Sequence, residues 1–490
     1  MRLAQLSAAL LAAGLALPAC AASDTALLEK LAARLEKLEA RNSELEKEVK
    51  ALKGESDKIA QGLDSERISQ YEPELTSRLK AAEKDALEMK KAAKIAKKFD
   101  GIVVGAALTT VAQRAFGLPQ GTADAGSQLN YRADVTVELP LGAIGDIEHK
   151  VFGHVRLGQG QGLNSPLTNL GHFASAPNAV AFRASGANPD DSVAILGQAW
   201  YQAAIPLPFG GFKPYSREKL ELTFGKIDLF GFFDQNSGAG DEAKQFLNSV
   251  FVHNPLLDAG GEVGVDANGF QPGFIAAYVN TTNKAEPWRL SLGVFGAGDK
   301  GSNYQKSLSS PLVMLQAEQQ LKLFGGLSGN YRAYLWNRSQ VSELDGVSSG
   351  QHTGVGVSVD QRVGDGVNLF GRYGQLIKGE LPFDKALSVG AEFNGSYWGR
   401  GGDAIGFGGS WLKSSKAYRN VGGTGDLDGD GVADFSFAPN GAEKVAEIYY
   451  RYRVSPQFEI TPDFQWIARG GANPEAGAVK VIGLRANIAY

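Results

Sequence analysis

Apolar and polar residues alternate with a period of two along most of this chain after residue 99. In Tyr131-Arg132-Ala133-Asp134-Val135-Thr136-Val137-Glu138-Leu139, the residues Ala133, Val135, Val137 and Leu139 fall on one side of an extended segment. Arg132, Asp134, Thr136 and Glu138 fall on the other. Val151, Gly153, Val155 and Leu157 likewise alternate with Phe152, His154 and Arg156. Late in the chain, Ile448, Tyr450, Tyr452 and Val454 alternate with Glu447, Tyr449, Arg451 and Arg453. Next come Phe458, Ile460, Pro462, Phe464 and Trp466 against Glu459, Thr461, Asp463 and Gln465. The last segment sets Ile482, Leu484, Ala486, Ile488 and Tyr490 against Arg485 and Asn487.

These segments predict strands whose apolar face carries the aromatics Tyr450, Tyr452, Phe464, Trp466 and Tyr490. A soluble sandwich turns its apolar face inward, whereas an aromatic girdle on the apolar face suits a barrel facing lipid. The final aromatic, in phase with that face, resembles the terminal signal of outer-membrane barrels. Beyond the N-terminal leader no run of 18 or more apolar residues occurs, so membrane residence has to come from strands. About 390 residues, at roughly 20–25 per strand with its connection, predict an all-β transmembrane barrel of about 16 antiparallel strands over residues 99–490. A barrel of that girth encloses water unless something narrows it. Two polar, Gly/Pro-punctuated stretches, residues 164–191 and 231–269, are candidates to fold inward, with external loops as the alternative.

The N-terminal part has another period. Leu28, Leu31, Leu35, Leu38, Asn42, Leu45, Val49 and Leu52 step by alternating three and four, a heptad repeat with Leu at every d position. Arg34, Arg41 and Glu48 fall at g, and Glu39, Glu46 and Lys53 at the following e. All three g-to-e′ pairs are of opposite sign in a parallel, in-register α-helical coiled coil, assigned to residues 24–60. Asn42 at position a suits dimers, whereas Arg34-Leu35-Glu36-Lys37-Leu38-Glu39 resembles a trimer signature. A homotrimer is expected from the transmembrane barrel that follows. Residues 61–98, rich in Lys and Ala, read as a periplasmic helical linker. Residues 1–21, with Arg2, an apolar core and small residues, read as a secretory signal peptide. Ala19 and Ala21 fit simple cleavage, and Leu17-Pro18-Ala19-Cys20 weakly resembles a lipoprotein box.

Composition narrows the chemistry. A net charge of −4 argues against a nucleic-acid partner. No H-E-x-x-H occurs, and Cys20 is the single cysteine, so no enzyme is expected. No cofactor is expected apart from Ca²⁺. Asp426, Asp428, Asp430 and Asp434 have the 1, 3, 5, 9 spacing of a calcium loop with Gly431 at position six, but Phe437 stands where the bidentate ligand belongs. An acidic hairpin tip is the alternative. Arg132, Glu138, His154, Arg156 and Arg451, on the polar faces, are the candidate pore-lining residues, set against simple wall salt bridges.

Three stretches resemble the carbohydrate-selective porin family of the OprB type. They are Leu222-Thr223-Phe224-Gly225-Lys226-Ile227-Asp228; Phe233-Asp234-Gln235-Asn236 followed by Gln245-Phe246-Leu247-Asn248; and Glu447-Ile448-Tyr449-Tyr450-Arg451-Tyr452 leading to Thr461-Pro462-Asp463-Phe464-Gln465-Trp466. The resemblance covers roughly residues 99–490 and implies a 16-stranded outer-membrane barrel for passive uptake of small sugars. The coiled coil lies outside it. Alternative readings are a general non-selective pore, and a barrel sheath around a partner such as an electron-transfer conduit.

Overall fold

The computed structural model describes residues 43–54, 101–118, 126–163, 175–182, 191–211, 213, 215–258, 270–296, 310–344, 348–424, 431 and 437–490. The residues read as a signal peptide, most of the heptad region, those read as a linker, and the candidate calcium ligands Asp426, Asp428, Asp430 and Asp434 lie outside them. Residues 43–54 are helical and exposed throughout, including Leu45, Val49 and Leu52. They belong to a unit separate from the body that begins at Val103.

That body is a closed, all-antiparallel barrel of 16 strands. In order they are β1 (Val103–Phe116), β2 (Ser127–Ile144), β3 (Ile147–Gln159) and β4 (Val193–Pro206). There follow β5 (Glu218–Asp228), β6 (Phe270–Asn280), β7 (Trp288–Phe295) and β8 (Leu312–Leu323). Then come β9 (Leu327–Ser342), β10 (Ser349–Gly364), β11 (Val367–Lys378) and β12 (Phe383–Asn394). The last are β13 (Ala404–Ser414), β14 (Ala442–Arg453), β15 (Phe458–Ala468) and β16 (Val479–Ala489). Each strand pairs with its chain neighbour, and β1 pairs with β16 to close the ring, with Thr109 opposite Asn487 and Val111 opposite Arg485. Closure leaves no sheet edge to solvate, the condition for a sheet to stand in hydrocarbon.

Connections at one rim are short: residues 145–146, 324–326, 365–366 and 454–457. Those at the other include residues 160–192, 229–269 and 415–441. In outer-membrane barrels the short turns lie on the periplasmic side and the long loops outside. The alternation is realised as expected. Ile482, Leu484 and Ile488 of β16 are exposed on the outer wall, whereas Arg485 and Asn487 are buried inside. The same holds for Ile448, Tyr452, Phe464 and Trp466 outside, against Glu447, Tyr449, Asp463 and Gln465 inside.

Side chains and inserted chain occupy part of the interior. Phe233, Phe246, Phe251, Phe295, Phe370, Trp336 and Tyr449 form one buried cluster, made of wall residues and of the long connection after β5. Glycines on the inner wall make room for it. A Cβ on Gly406 would lie 2.3 Å from the Tyr449 ring, and one on Gly390 2.4 Å from Phe370. One on Gly374 would meet Asn254 Oδ1 at 2.4 Å.

Candidate functional site

Residues 229–258 leave β5 and enter the barrel. The Asp228 side chain accepts the Phe230 N–H at 3.0 Å and starts a turn at Leu229–Gly231. The Phe230 ring then stacks on His253, with centroids 3.7 Å apart. Asp234, in the left-handed region at φ 52, is held from three sides. It accepts from Arg372 Nε at 3.1 Å, from the Tyr334 hydroxyl at 2.9 Å and from the Asn254 N–H at 2.6 Å. Further along, Glu447 on β14 accepts the Leu247 and Asn248 N–H groups at 2.6 and 2.9 Å. Asn248 caps the short helix α1 (Ser249–Val252) through the Val250 N–H. Ser388 on β12 donates to the Val250 carbonyl at 2.8 Å.

A second segment, residues 175–182, enters beside the first. Its Ala179 N–H donates to the Leu247 carbonyl at 2.7 Å, and its Ala176 carbonyl accepts from the Ser249 N–H at 2.9 Å. The Pro177 carbonyl accepts from both Gln113 and Gln465 at 2.8 Å. Both stretches singled out by their Gly/Pro punctuation therefore contribute to the interior, and they are hydrogen-bonded to each other. They touch β8 and β15 through Gln316 and Gln465, and also β1, β2, β4 and β7 through Gln113, Asn130, Trp200 and Phe295.

An ion cluster joins the loop to the wall at β2 and β3. Arg132 donates to Asp134 and Glu242, both at 2.8 Å. Asp134 also takes Arg156 at 2.6 Å and His154 at 2.7 Å. Burial, the largest single influence, pushes the Glu242 carboxyl up, but Arg132, Arg156 and His253 bring it below its ordinary value. The neighbouring Asp241 moves the opposite way, raised by burial and by Glu242. Beside the cluster, Phe152 stacks on Trp200 at 4.9 Å, Phe232 of the loop meets Trp200 edge-on at 5.7 Å, and Lys150 lies over Trp200 at 5.4 Å. Gly225 permits this approach, since a Cβ there would come within 2.7 Å of the Trp200 Cα. Toward the short-turn rim the wall carries charges of alternating sign: Glu138 with Lys150 at 3.3 Å, Glu221 with Arg289 at 2.8 Å, and Arg332 with Glu318 and Asp360 at 3.1 and 2.9 Å.

All five residues singled out from the sequence sit on inward-facing strand positions, but they are not one group. Arg132, His154 and Arg156 converge on Asp134. Arg132 and His154 are almost fully covered there, whereas Glu138 is 41% exposed. Arg451 lies apart on β14, 3.5 Å from Glu392, and donates to the Lys244 carbonyl at 3.3 Å. Asp134, Glu242, Lys150, Trp200 and Arg372 escaped the sequence reading. For Asp134 the signal was its place on the same polar face as Arg132 and Glu138; for Glu242 and Arg372 no local signal exists.

A 16-stranded closed barrel, apolar outside, charged within and narrowed by its own chain, defines an outer-membrane porin. The chain matches the description "Carbohydrate-selective porin, OprB family" over residues 159–490, and it belongs to that family. It is similar to the high-pH structure of Pseudomonas putida OprB, at 18% identity and a TM-score of 0.64, covering 81% of this chain and 96% of that one. The low-pH structure of the same protein gives 15% identity and a TM-score of 0.43, covering 79% and 92%. A doubly substituted mutant of the Rh. blastica porin gives 9% and 0.41, covering 79% and 100%. No curated protein matches the chain.

Proposed function

We propose that this porin passes small neutral solutes, sugars foremost, by passive diffusion through the lumen past the inserted loop. The observation that carries this reading is the adjacency of two surfaces on the inner wall of β2 to β4: the aromatic shelf of Phe152, Trp200 and Phe232, and the charge-balanced cluster of Arg132, Asp134, Arg156 and Glu242. Sugar rings have C–H faces that lie on aromatic rings, and hydroxyls that both donate and accept. A cluster with no net excess of one sign replaces water around hydroxyls without trapping an ion. Passage needs such sites to be weak and successive, and the alternating charges below the cluster supply further ones.

Within this reading Glu138 and Arg156 touch the solute, Arg132 and His154 hold Asp134 and Arg156 in place, and Arg451 supports the loop through Lys244. A lumen narrowed by its own loop does not suit a protein occupant, which weighs against the sheath reading. Liposomes carrying the protein should swell faster in monosaccharide than empty ones, and sugars should block single-channel current. No faster swelling would refute the sugar reading, and swelling without block would leave a general pore. The heptad region is read as a periplasmic rod joining three chains, supported by the exposed Leu45, Val49 and Leu52 stripe. A peptide of residues 24–54 should then sediment as a trimer.

A further inference from the structure

The outer wall carries an unbalanced row of cations at the long-loop rim. Lys480 of β16 is exposed between the inward-facing Val479 and Val481. Lys444 on β14, Lys413 on β13, Lys385 on β12 and Arg114 on β1 take equivalent outward positions. Register brings them together. Lys385 is directly opposite Lys413. Lys413 pairs with Ala442 and Trp411 with Lys444, so the two lysines are diagonal neighbours. Phe116 pairs with Lys480 and Arg114 with Ile482, so Arg114 and Lys480 are diagonal neighbours too. β15 separates the two groups and places Trp466 beside Lys480.

Like charges opposite or diagonal to each other on one face of a sheet destabilise it. Among the described residues no carboxylate forms an ion pair with any of these five. Asp384, adjacent to Lys385, leaves its Oδ1 without a hydrogen bond, and Arg114 only covers the Phe116 ring at 5.2 Å. At the short-turn rim Lys213 is instead matched with Asp146 at 3.6 Å and Arg400 with Asp403 at 2.6 Å. Elsewhere on the long-loop rim the outward positions include Leu129, Leu157 and Leu196. Among the described residues this row runs over one sector, β12 to β1, and calls for an external anion. Because the cations face the membrane and are flanked by Trp411, Trp466 and Phe116, that anion is borne by an amphiphile. The two groups stand across β15, two strand spacings or about 10 Å from β14 to β16.

We propose that this sector binds a lipid carrying two phosphates, seated in the leaflet on the long-loop side. Lys480 and Arg114 hold one phosphate, and Lys444, Lys413 and Lys385 hold the other. The lipid thereby neutralises the row and fixes the barrel's depth on that side.

The test uses the full chain in neutral detergent, titrated with a bisphosphorylated lipid A, its monophosphorylated form and phosphatidylcholine, with binding read by native mass spectrometry. The bisphosphorylated lipid should bind at least tenfold more tightly than the monophosphorylated one. The triple variant K385Q/K413Q/K444Q and the double variant R114Q/K480Q should each lose at least tenfold, with an unchanged heat-dependent gel shift showing that the barrel is intact. Lys322→Gln, on the short-turn side, should bind as the parent does. Equal affinity for phosphatidylcholine, undiminished binding by both multiple variants, or an equal loss in Lys322→Gln would overturn the proposal. So would displacement of the lipid by inorganic phosphate at concentrations equal to that of the lipid, which would mark a free-anion site.

Discussion

Arg372 on β11 and Asp234 in the inserted loop form the deepest ion pair in the barrel, at 3.1 Å, with both side chains all but sealed from solvent. The guanidinium does more than pair. It also donates to the Asp234 carbonyl at 3.0 Å, to the Ala239 carbonyl at 2.6 Å and to the Phe251 carbonyl. One side chain thus ties the loop to the wall at three points spread over 18 residues of loop. Removing it leaves a buried carboxylate without its counter-charge, which costs about 3–5 kcal/mol. Arg372→Leu should lower urea stability by that order and raise single-channel conductance as the loop comes away. Arg372→Lys should recover only part of both, because an ammonium lacks the planar fork that reaches these acceptors together.

Glu447 anchors the far end of the loop. Glu447→Ala strands the Leu247 and Asn248 N–H groups away from water, at about 1–3 kcal/mol. Conductance should rise and sugar block weaken, while the barrel's gel shift persists. An unchanged conductance would show that Phe246 and Phe251 hold the loop without it.

The inner-wall glycines make a steric prediction. Gly374→Ala places a methyl against Asn254 and should cost about 1–3 kcal/mol through overpacking. Gly409→Ala, on the outer face of β13 with nothing within 4 Å of a new Cβ, should stay within about 0.5 kcal/mol of the parent. Equal losses in urea unfolding would remove the packing argument.

Loop pinning should depend on pH through Glu242. Its carboxyl releases its proton more readily in the folded protein than at the ordinary glutamate value of 4.5. The contribution of its ion pairs is therefore complete above that value and is lost as pH falls from there through the depressed folded value. Glu242→Gln should show higher conductance than the parent at pH 7, and the gap should close as both are taken well below pH 4.5. A gap that survives unchanged at the lowest pH, or no gap at neutrality, would contradict this role; comparing the two proteins cancels Asp241, which titrates in both.

What the sequence by itself determined is the facing of the wall. Ile482, Leu484 and Ile488 had to point one way and Arg485 and Asn487 the other, because successive side chains of a strand leave on opposite sides. The tertiary structure decided everything that depends on which strands meet. The tight turn at Gly145-Asp146 alone sets Ile144 opposite Ile147, a register that would put Asp134 opposite Leu157 and turn one strand's charges toward lipid. An irregularity at Pro140/Gly142 shifts the pairing by one residue, so that Asp134 meets Arg156 inside. The inserted segments were legible as polar and Gly/Pro-rich, but their partners were not. Asp234 finds Arg372 across 138 residues, and Leu247 finds Glu447 across 200. No local period encodes such contacts; they exist only once the sheet has closed and excluded enough water for a buried charge to require its partner.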